Sequence, residues 1–242
     1  YGAGLVVVVT GELCLVADLG RPEAFFFLFL YPTGSLVTVG AFALTLLTAF
    51  LAVALADAVF VLPTWARVAV FAVKVLGIPV AIVVMVYTGL LIQSVIEVGV
   101  WQSASLPVLF VTSAFPCGGA VVALAACTCE DVRVTRIMAR LFVRVDVVFI
   151  LIEAISAAAL IICVKDTAPL AVAQLLKGDL SLTFWAGFVA CGLALPFAAE
   201  VISLVLNREI PAPAAVGIAI LVLAGGLCLR IAIVACGAAP SI

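Results

Sequence analysis

The sequence predicts an all-α integral membrane protein, built as a polytopic bundle of helices that cross the lipid bilayer. Of its 242 residues, 68% are hydrophobic and only 10% are charged. The mean hydropathy is +1.49, which is far above that of soluble globular domains. Apolar runs of about 20 residues alternate with short polar turns, as hydrocarbon-spanning helices require. The period-2 alternation of a transmembrane β-barrel is missing.

Seven spans are predicted in this chain, and together they form a single helical-bundle domain over residues 1–242. The first is followed by Pro22, which cannot continue a helix that needs its backbone donor. Aromatic residues from Phe25 to Tyr31 then indicate an interfacial re-entry before the second span. Pro79 predicts a kink inside the third. The approximate boundaries of the spans are 2–18, 35–56, 66–96, 106–127, 139–163, 181–206 and 212–236.

The composition also limits the chemistry that the chain can carry. It contains no histidine, the usual ligand of b-type haem and a common ligand of copper and iron. Apart from the close pair Cys127 and Cys129, the cysteines are scattered along helices, which is typical of small apolar packing residues. We therefore expect no haem or metal in this chain. The formal net charge of -2 comes without a basic arm, so nucleic-acid binding is not expected.

The distribution of lysine and arginine predicts how the bundle is oriented. One set of loops holds more of these residues than the other, with a cluster around Arg133. By the positive-inside rule, that loop lies in the cytoplasm. The polar segment at 18–22, the turn at 97–105 and the C-terminus then face outward. The expected location is the plasma membrane or a bacterial-type inner membrane.

Three groups of motifs follow one another along the chain. Their positions are Asp-Leu-Gly-Arg-Pro at 18–22 with Pro-Thr-x-Ser at 32–35; Tyr-Thr-Gly at 87–89 with Trp-x-Ser at 101–103 and Leu-Pro-x-Leu-Phe at 106–110; and Gly225-Gly226 followed by Arg230. In this order they resemble the NrfD-like family, the membrane subunits of polysulfide reductase and related oxidoreductases. That family usually has eight spans, so its first helix is expected to be missing here, where Tyr1 already lies inside an apolar run.

The resemblance implies both a cofactor and partners. It implies a menaquinone or ubiquinone site toward the outer side of the membrane, with Tyr87 of the Tyr-Thr-Gly motif among its contacts. It further implies an iron-sulfur, ferredoxin-like partner subunit and a catalytic subunit that carries molybdopterin. Arg21, Glu97 and Trp101 on the outward turns are the expected docking residues for the iron-sulfur partner.

Ionisable side chains at membrane depth are costly and indicate functional sites by default. A rise of about 1.5 Å per residue places Glu12, Asp18, Tyr87 and Arg230 in the outer third of their spans. Quinone carbonyls need hydrogen-bond donors and quinone reduction takes up protons, so a phenol or guanidinium beside a carboxylate suits such a site. Two alternatives remain open: Arg230 pairs with Glu12 or Asp18 as a structural ion pair, or Tyr87 is an interfacial packing residue.

A second, inner layer contains Lys74, Asp146, Glu153 and Glu200, which are candidates for a proton path. Asp146 and Glu153 are seven residues apart, so they share one face of a helix. The alternative is that Asp146 pairs with Arg144 or Lys74 near the interface.

Two other functions compete with quinone chemistry. A secondary transporter or channel would use the inner ionisable residues at the bilayer midplane, and it predicts inverted repeats that the sequence does not plainly show. A structural or proton-translocating module without its own redox site would share the same fold.

Overall fold

The computed structural model describes residues 1–18, 25–31, 34–60, 63–95, 98–126, 132–206 and 210–238, and these ranges contain helices and turns but no strand. Only the backbone is described at residues 18, 25, 64–65, 126, 132–142, 212 and 238. The elements in chain order are α1 (Gly2–Asp18), α2 (Phe25–Leu30), α3 (Leu36–Val59), α4 (Thr64–Gln93), α5 (Ser105–Ala126), α6 (Val132–Val164), α7 (Pro169–Lys177), a π-helical segment (Thr183–Ala194), α8 (Leu195–Val205) and α9 (Ala212–Ala238).

Six stretches of these helices are long and apolar enough to cross a membrane. Many large apolar side chains on them point outward: Val68 is 74% exposed and Ile155 is 68% exposed. In water such surfaces would be unfavourable, whereas in lipid they are the expected outer face. The chain is therefore a multi-pass helical membrane protein, as predicted. The six stretches are Leu36–Val59, Ala66–Gln93, Ser105–Ala125, Val143–Val164, Thr183–Val205 and Pro213–Gly237.

The predicted count of seven spans is not confirmed. The first predicted span, 2–18, forms α1, an apolar helix of 17 residues. At about 1.5 Å per residue it measures roughly 25 Å, less than the hydrocarbon core of about 30 Å. The expectation that a preceding family helix is missing stays a prediction.

Some helices differ from the predicted spans for physical reasons. The helix α6 begins seven residues before the predicted 139, because arginine is a good helix former although it lowers hydropathy. The short helices α2 and α7 were not predicted as helices, since neither is long enough to be recognised as a span. Pro116 lies within α5, whereas Pro196 lies in the first turn of α8, where a missing backbone donor costs little.

The first compact unit comprises Tyr1–Leu91. In it α1 runs antiparallel to α3, because Gly2 lies within van der Waals reach of Leu55 while Glu12, later in α1, contacts the earlier residue Thr48. Continuing this register brings the backbone of the last turn of α1, which ends at Asp18, toward the level of the first turns of α3.

The helix α4 contacts α3 in the same antiparallel sense. Lys74 meets Asp57, and Tyr87, near the other end of α4, meets Gly40. The helix α3 is thus contacted by α1 and α4, and polar residues of both neighbours lie at three levels along it. From Gly40 to Thr48 to Asp57, these levels are separated by about 12 and 13 Å of helix rise.

The second compact unit comprises Ile92–Ile242. Its core is formed where α5, α6, the π-helical segment and α9 pack together. The most deeply buried side chains include Leu106, Leu109, Phe188 and Leu229.

The contact between the π-helical segment and α9 depends on glycine. A Cβ atom on Gly192 would lie 2.9 Å from the Cα atom of Gly225, so the two backbones touch directly. Such close approach is the usual means by which membrane helices gain packing contacts. The π-helical segment is twelve residues long, far more than the single turn that is usual, and it leads directly into α8, which carries Glu200.

Candidate functional site

Tyr87, the tyrosine of the Tyr-Thr-Gly motif, is 6% exposed and lies within the first unit. The hydroxyl-bearing end of its ring rests on Gly40, at a place where any Cβ atom would overlap the ring. Because glycine has no side chain, the phenol reaches the backbone of α3. Its hydroxyl makes no hydrogen bond to another residue in the described part of the chain.

Glu12 lies deeper in the same unit than its predicted outer-third position suggests. The Thr48 hydroxyl donates to Glu12 Oε1 at 2.6 Å, and Thr48 is close to the middle of α3. This contact is about 12 Å of helix rise from Gly40, so Glu12 and Tyr87 are at different depths. The backbone of Asp18 is nearer to the level of Tyr87 than Glu12 is.

Lys74 has an ion-pair partner that the sequence analysis did not single out. Its Nζ atom lies 2.6 Å from Asp57 Oδ2, and it also lies 5.5 Å from the centroid of the Tyr1 ring. Paired in this way, the charge of Lys74 is compensated within the first unit. Asp57 escaped notice because it is one residue beyond the predicted end of the second span.

Arg230 lies among α5, α6 and α9 in the second unit. Its Nη1 atom donates to the carbonyl oxygen of Gly226 at 3.0 Å, and its guanidinium lies 5.6 Å from the centroid of the Phe110 ring. A side chain at position 226 would meet Arg230 Nη1 and Cys117 Sγ. The spacing Gly-x-x-x-Arg therefore has a local reason: one helical turn before the arginine, glycine leaves its carbonyl open.

Glu153 joins this cluster from α6. It is 4% exposed, it faces Ser113 of α5, and it lies within electrostatic range of Arg230. The Ser113 hydroxyl is 99% buried, and within the described ranges it has no partner in hydrogen-bond geometry. Position along the predicted spans puts Arg230 in an outer layer and Glu153 in an inner one, whereas the structure brings the two residues into one cluster.

Asp146 and Glu200 form a second acidic group in this unit. The helices α6 and α8 pack together, and this brings the two carboxyl groups close enough to interact. Glu200 is 5% exposed, and no donor among the described residues reaches its Oε2 atom. The predicted alternative partner Arg144 is exposed on α6, so the described neighbour of Asp146 is another acid.

Trp101, a predicted docking residue, packs inside the second unit. Its Nε1 atom donates to the carbonyl oxygen of Ile233 at 3.0 Å, and its ring lies where a side chain on Gly237 would be. This packing fixes the turn before α5 against α9. The other two predicted docking residues, Arg21 and Glu97, lie outside the described residues.

The residues of the first unit are chemically suited to a quinone, which the family implies. A quinone headgroup needs a hydrogen-bond donor, and the buried residue Tyr87 carries a hydroxyl that has no hydrogen-bond partner among the described residues. The helix α1 ends at the acidic residue Asp18, whose backbone lies at a level along α3 similar to that of Tyr87. Metal ligation is different: the described residues contain no group of three or more histidine, cysteine, aspartate or glutamate side chains that could hold an ion.

These features define a multi-pass helical membrane protein with ionisable side chains buried inside each of its two units. The chain belongs to the NrfD polysulphide reductase family, whose profile matches residues 2–240. The match extends over nearly the whole chain and confirms the resemblance carried by the three motif groups. This family indicates a membrane subunit of a polysulfide-reductase-like oxidoreductase. No match was found among curated proteins.

Proposed function

We propose that this chain is the quinone-reactive membrane subunit of a multisubunit respiratory oxidoreductase. The observation that carries the proposal is the buried Tyr87, whose hydroxyl has no partner among the described residues and is held in place by Gly40. Tyr87 also belongs to the Tyr-Thr-Gly motif of the family that the chain matches.

The residues of the first unit would bind and protonate the ligand in an ordered way. The Tyr87 hydroxyl would donate to one quinone carbonyl, and Asp18 at a similar level would exchange protons. Glu12 is about two helical turns deeper along α3, so it would act as a secondary acceptor. A bound menaquinone or ubiquinone would supply two-electron, two-proton redox chemistry. Arg230 stays a predicted contact by its motif.

Electrons would pass between the quinone and an iron-sulfur partner subunit, and then to a catalytic subunit with molybdopterin. We place the docking surface on the outward turns around Arg21 and Glu97. Because Trp101 packs within its own unit, its contribution to docking would be to hold the turn in shape. The complex would lie in the plasma or inner membrane, with the quinone site toward the outer side.

The substitution Tyr87→Phe, made in the assembled complex, tests the proposal. It removes the hydroxyl and keeps the ring on Gly40, so we expect quinol-dependent turnover to fall while the amount of complex stays the same. Tyr1→Phe is the matched control, because it removes a phenol hydroxyl from the same unit, beside Lys74 of α4. Unchanged turnover in Tyr87→Phe would exclude a donor role and favour packing.

A second candidate function is a proton-translocating module without its own redox site. It is favoured by three carboxyl groups of the second unit, those of Glu153 and Glu200, which are buried, and that of Asp146, which is half-buried. Purification of the complex distinguishes the two candidate functions. The proton-translocating module would be supported if the purified complex lacked iron-sulfur clusters and quinol activity but still moved protons after reconstitution into liposomes.

A further inference from the structure

Two acids from different helices face each other in the second unit, and no cation among the described side chains pairs with them. The Asp146 carboxyl on α6 contacts the Glu200 carboxyl on α8. Glu200 is 95% buried, and its Oε2 atom has no donor among the residues that the structure describes. A carboxylate oxygen in this position lacks the hydrogen bond that a buried charge requires.

The charged and titratable groups among the described side chains do not offset the repulsion between these two acids. On α6, Glu153 adds a further acid within electrostatic range of Asp146, and Arg144 is exposed. On α5, Cys117 is the titratable neighbour, and on the π-helical segment the titratable residue is Cys191. The cation of α9, Arg230, acts on Glu153 and Cys117.

Two carboxylates in contact within a low-dielectric interior cannot both be ionised. One proton between them removes the repulsion and supplies the missing donor. We propose that Asp146 and Glu200 form a proton-binding pair, which holds a single proton between α6 and α8. The pair depends on neither the quinone nor a partner subunit, so its failure would leave the proposed function untouched.

A divalent metal ion is a weaker fit to the same position. Calcium and magnesium take six or more oxygen ligands, while the pair offers the oxygens of two residues. The described residues also contain no larger group of possible metal ligands. A proton needs only the two facing oxygens that are present.

Glu153 provides an internal control for this inference. It is 4% exposed and Glu200 is 5% exposed, so a small apolar reagent has similar access to both side chains. Their surroundings differ, because Glu153 lies within range of the Arg230 guanidinium and Glu200 faces an acid. The nearby guanidinium makes ionisation less costly for Glu153 than the facing acid makes it for Glu200.

Labelling with a hydrophobic carbodiimide, which reacts with protonated carboxyl groups, tests the pair in the intact complex. At neutral pH we expect peptide mass spectrometry to show modification at Glu200 or Asp146, one adduct per pair, several times faster than at Glu153. Equal rates at Glu153 and Glu200, or no adduct on either member of the pair, would overturn the proposal. Protection by sodium ions at constant ionic strength would also overturn it, because it would identify a metal-cation site.

Infrared spectroscopy of variants tests whether the proton is shared. The carbonyl band of a protonated carboxylic acid should be present in the unsubstituted complex and should be lost in both Glu200→Gln and Asp146→Asn. Retention of the band in either variant would show that one acid is protonated by itself, contrary to a shared proton. The labelling of the unsubstituted protein does not depend on these variants, so the test survives if one of them fails to fold.

Discussion

The ring of Tyr87 lies against Gly40 on the neighbouring helix, in the space that a β-carbon would otherwise fill. The position of the phenol is thus set by an absent side chain, which makes Gly40 a positioning residue. The contact is formed by the end of a side chain and not by backbone, so the ring can move away if the space is filled.

Substituting Gly40→Ala should therefore impair function more than folding. We expect the Tyr87 ring to be displaced, quinol turnover to fall to a level near that of Tyr87→Phe, and the thermal midpoint to change little. Turnover in the assembled complex and thermal unfolding in detergent measure the two effects. Gly4→Ala is the matched control, since nothing lies within 4 Å of a Cβ atom at that position. Normal turnover in Gly40→Ala would show that the function of Tyr87 does not depend on Gly40.

The substitution Gly225→Ala should impair folding more than function. Its new methyl group would collide with the backbone of Gly192, and backbone atoms cannot relieve the overlap by changing rotamer. We expect a loss of about 1–3 kcal/mol in unfolding free energy, which is typical of overpacking. Gly217→Ala on the same helix has open space around it and should be close to neutral. Similar stability of the two variants in denaturation would contradict the direct contact between the helices.

The helical membrane class could be predicted from the sequence because it depends on local properties. A run of apolar residues is visible in one dimension, and the thickness of the bilayer fixes how long it must be. The motifs were also visible, and they identified Tyr87 and Arg230 before their surroundings were known. The π-helical geometry of Thr183–Ala194 had no such signal, since its composition matches that of an ordinary apolar helix.

The partners of the candidate site residues were harder to predict. Gly40 and Thr48 lie inside a uniformly apolar stretch, and their importance arises from helices that contact them across space. Ser113 likewise becomes a candidate site residue only because Glu153 of a neighbouring helix faces it. Arg230 and Glu153 were predicted in separate layers from their positions along their own helices. Such positions do not show how far neighbouring helices are shifted along their axes relative to one another. Tertiary offset is set by packing, of which the Gly192 and Gly225 contact is one determinant.

The Lys74 and Asp57 pair should behave as a compensated unit within the membrane. Lys74→Ala leaves Asp57 as an unpaired acid among apolar helices, and we expect less folded protein than in the double variant Lys74→Ala/Asp57→Ala. The yield of monodisperse protein and its thermal midpoint would be compared across the two single variants and the double variant. Additive losses would show that the two charges do not interact in the native protein.

Trp101 gives a way to distinguish a docking residue from one that supports its own fold. Trp101→Phe removes the hydrogen bond to the Ile233 carbonyl, so we expect a loss of about 1 kcal/mol in unfolding free energy. Gly237→Ala should destabilise the same contact from the other side, because its methyl group would displace the indole ring. The partner subunits should still copurify with both variants.

Trp185→Phe is the comparison for Trp101→Phe, since Trp185 also donates its indole N–H to a backbone carbonyl, that of Leu176. Its ring is 51% exposed, so the loss of packing should be smaller than at Trp101. If Trp101→Phe kept its stability and lost the partner subunits, the tryptophan would contact the partner directly. If stability falls and the partner is retained, the indole acts within its own chain, holding the turn before α5 against α9.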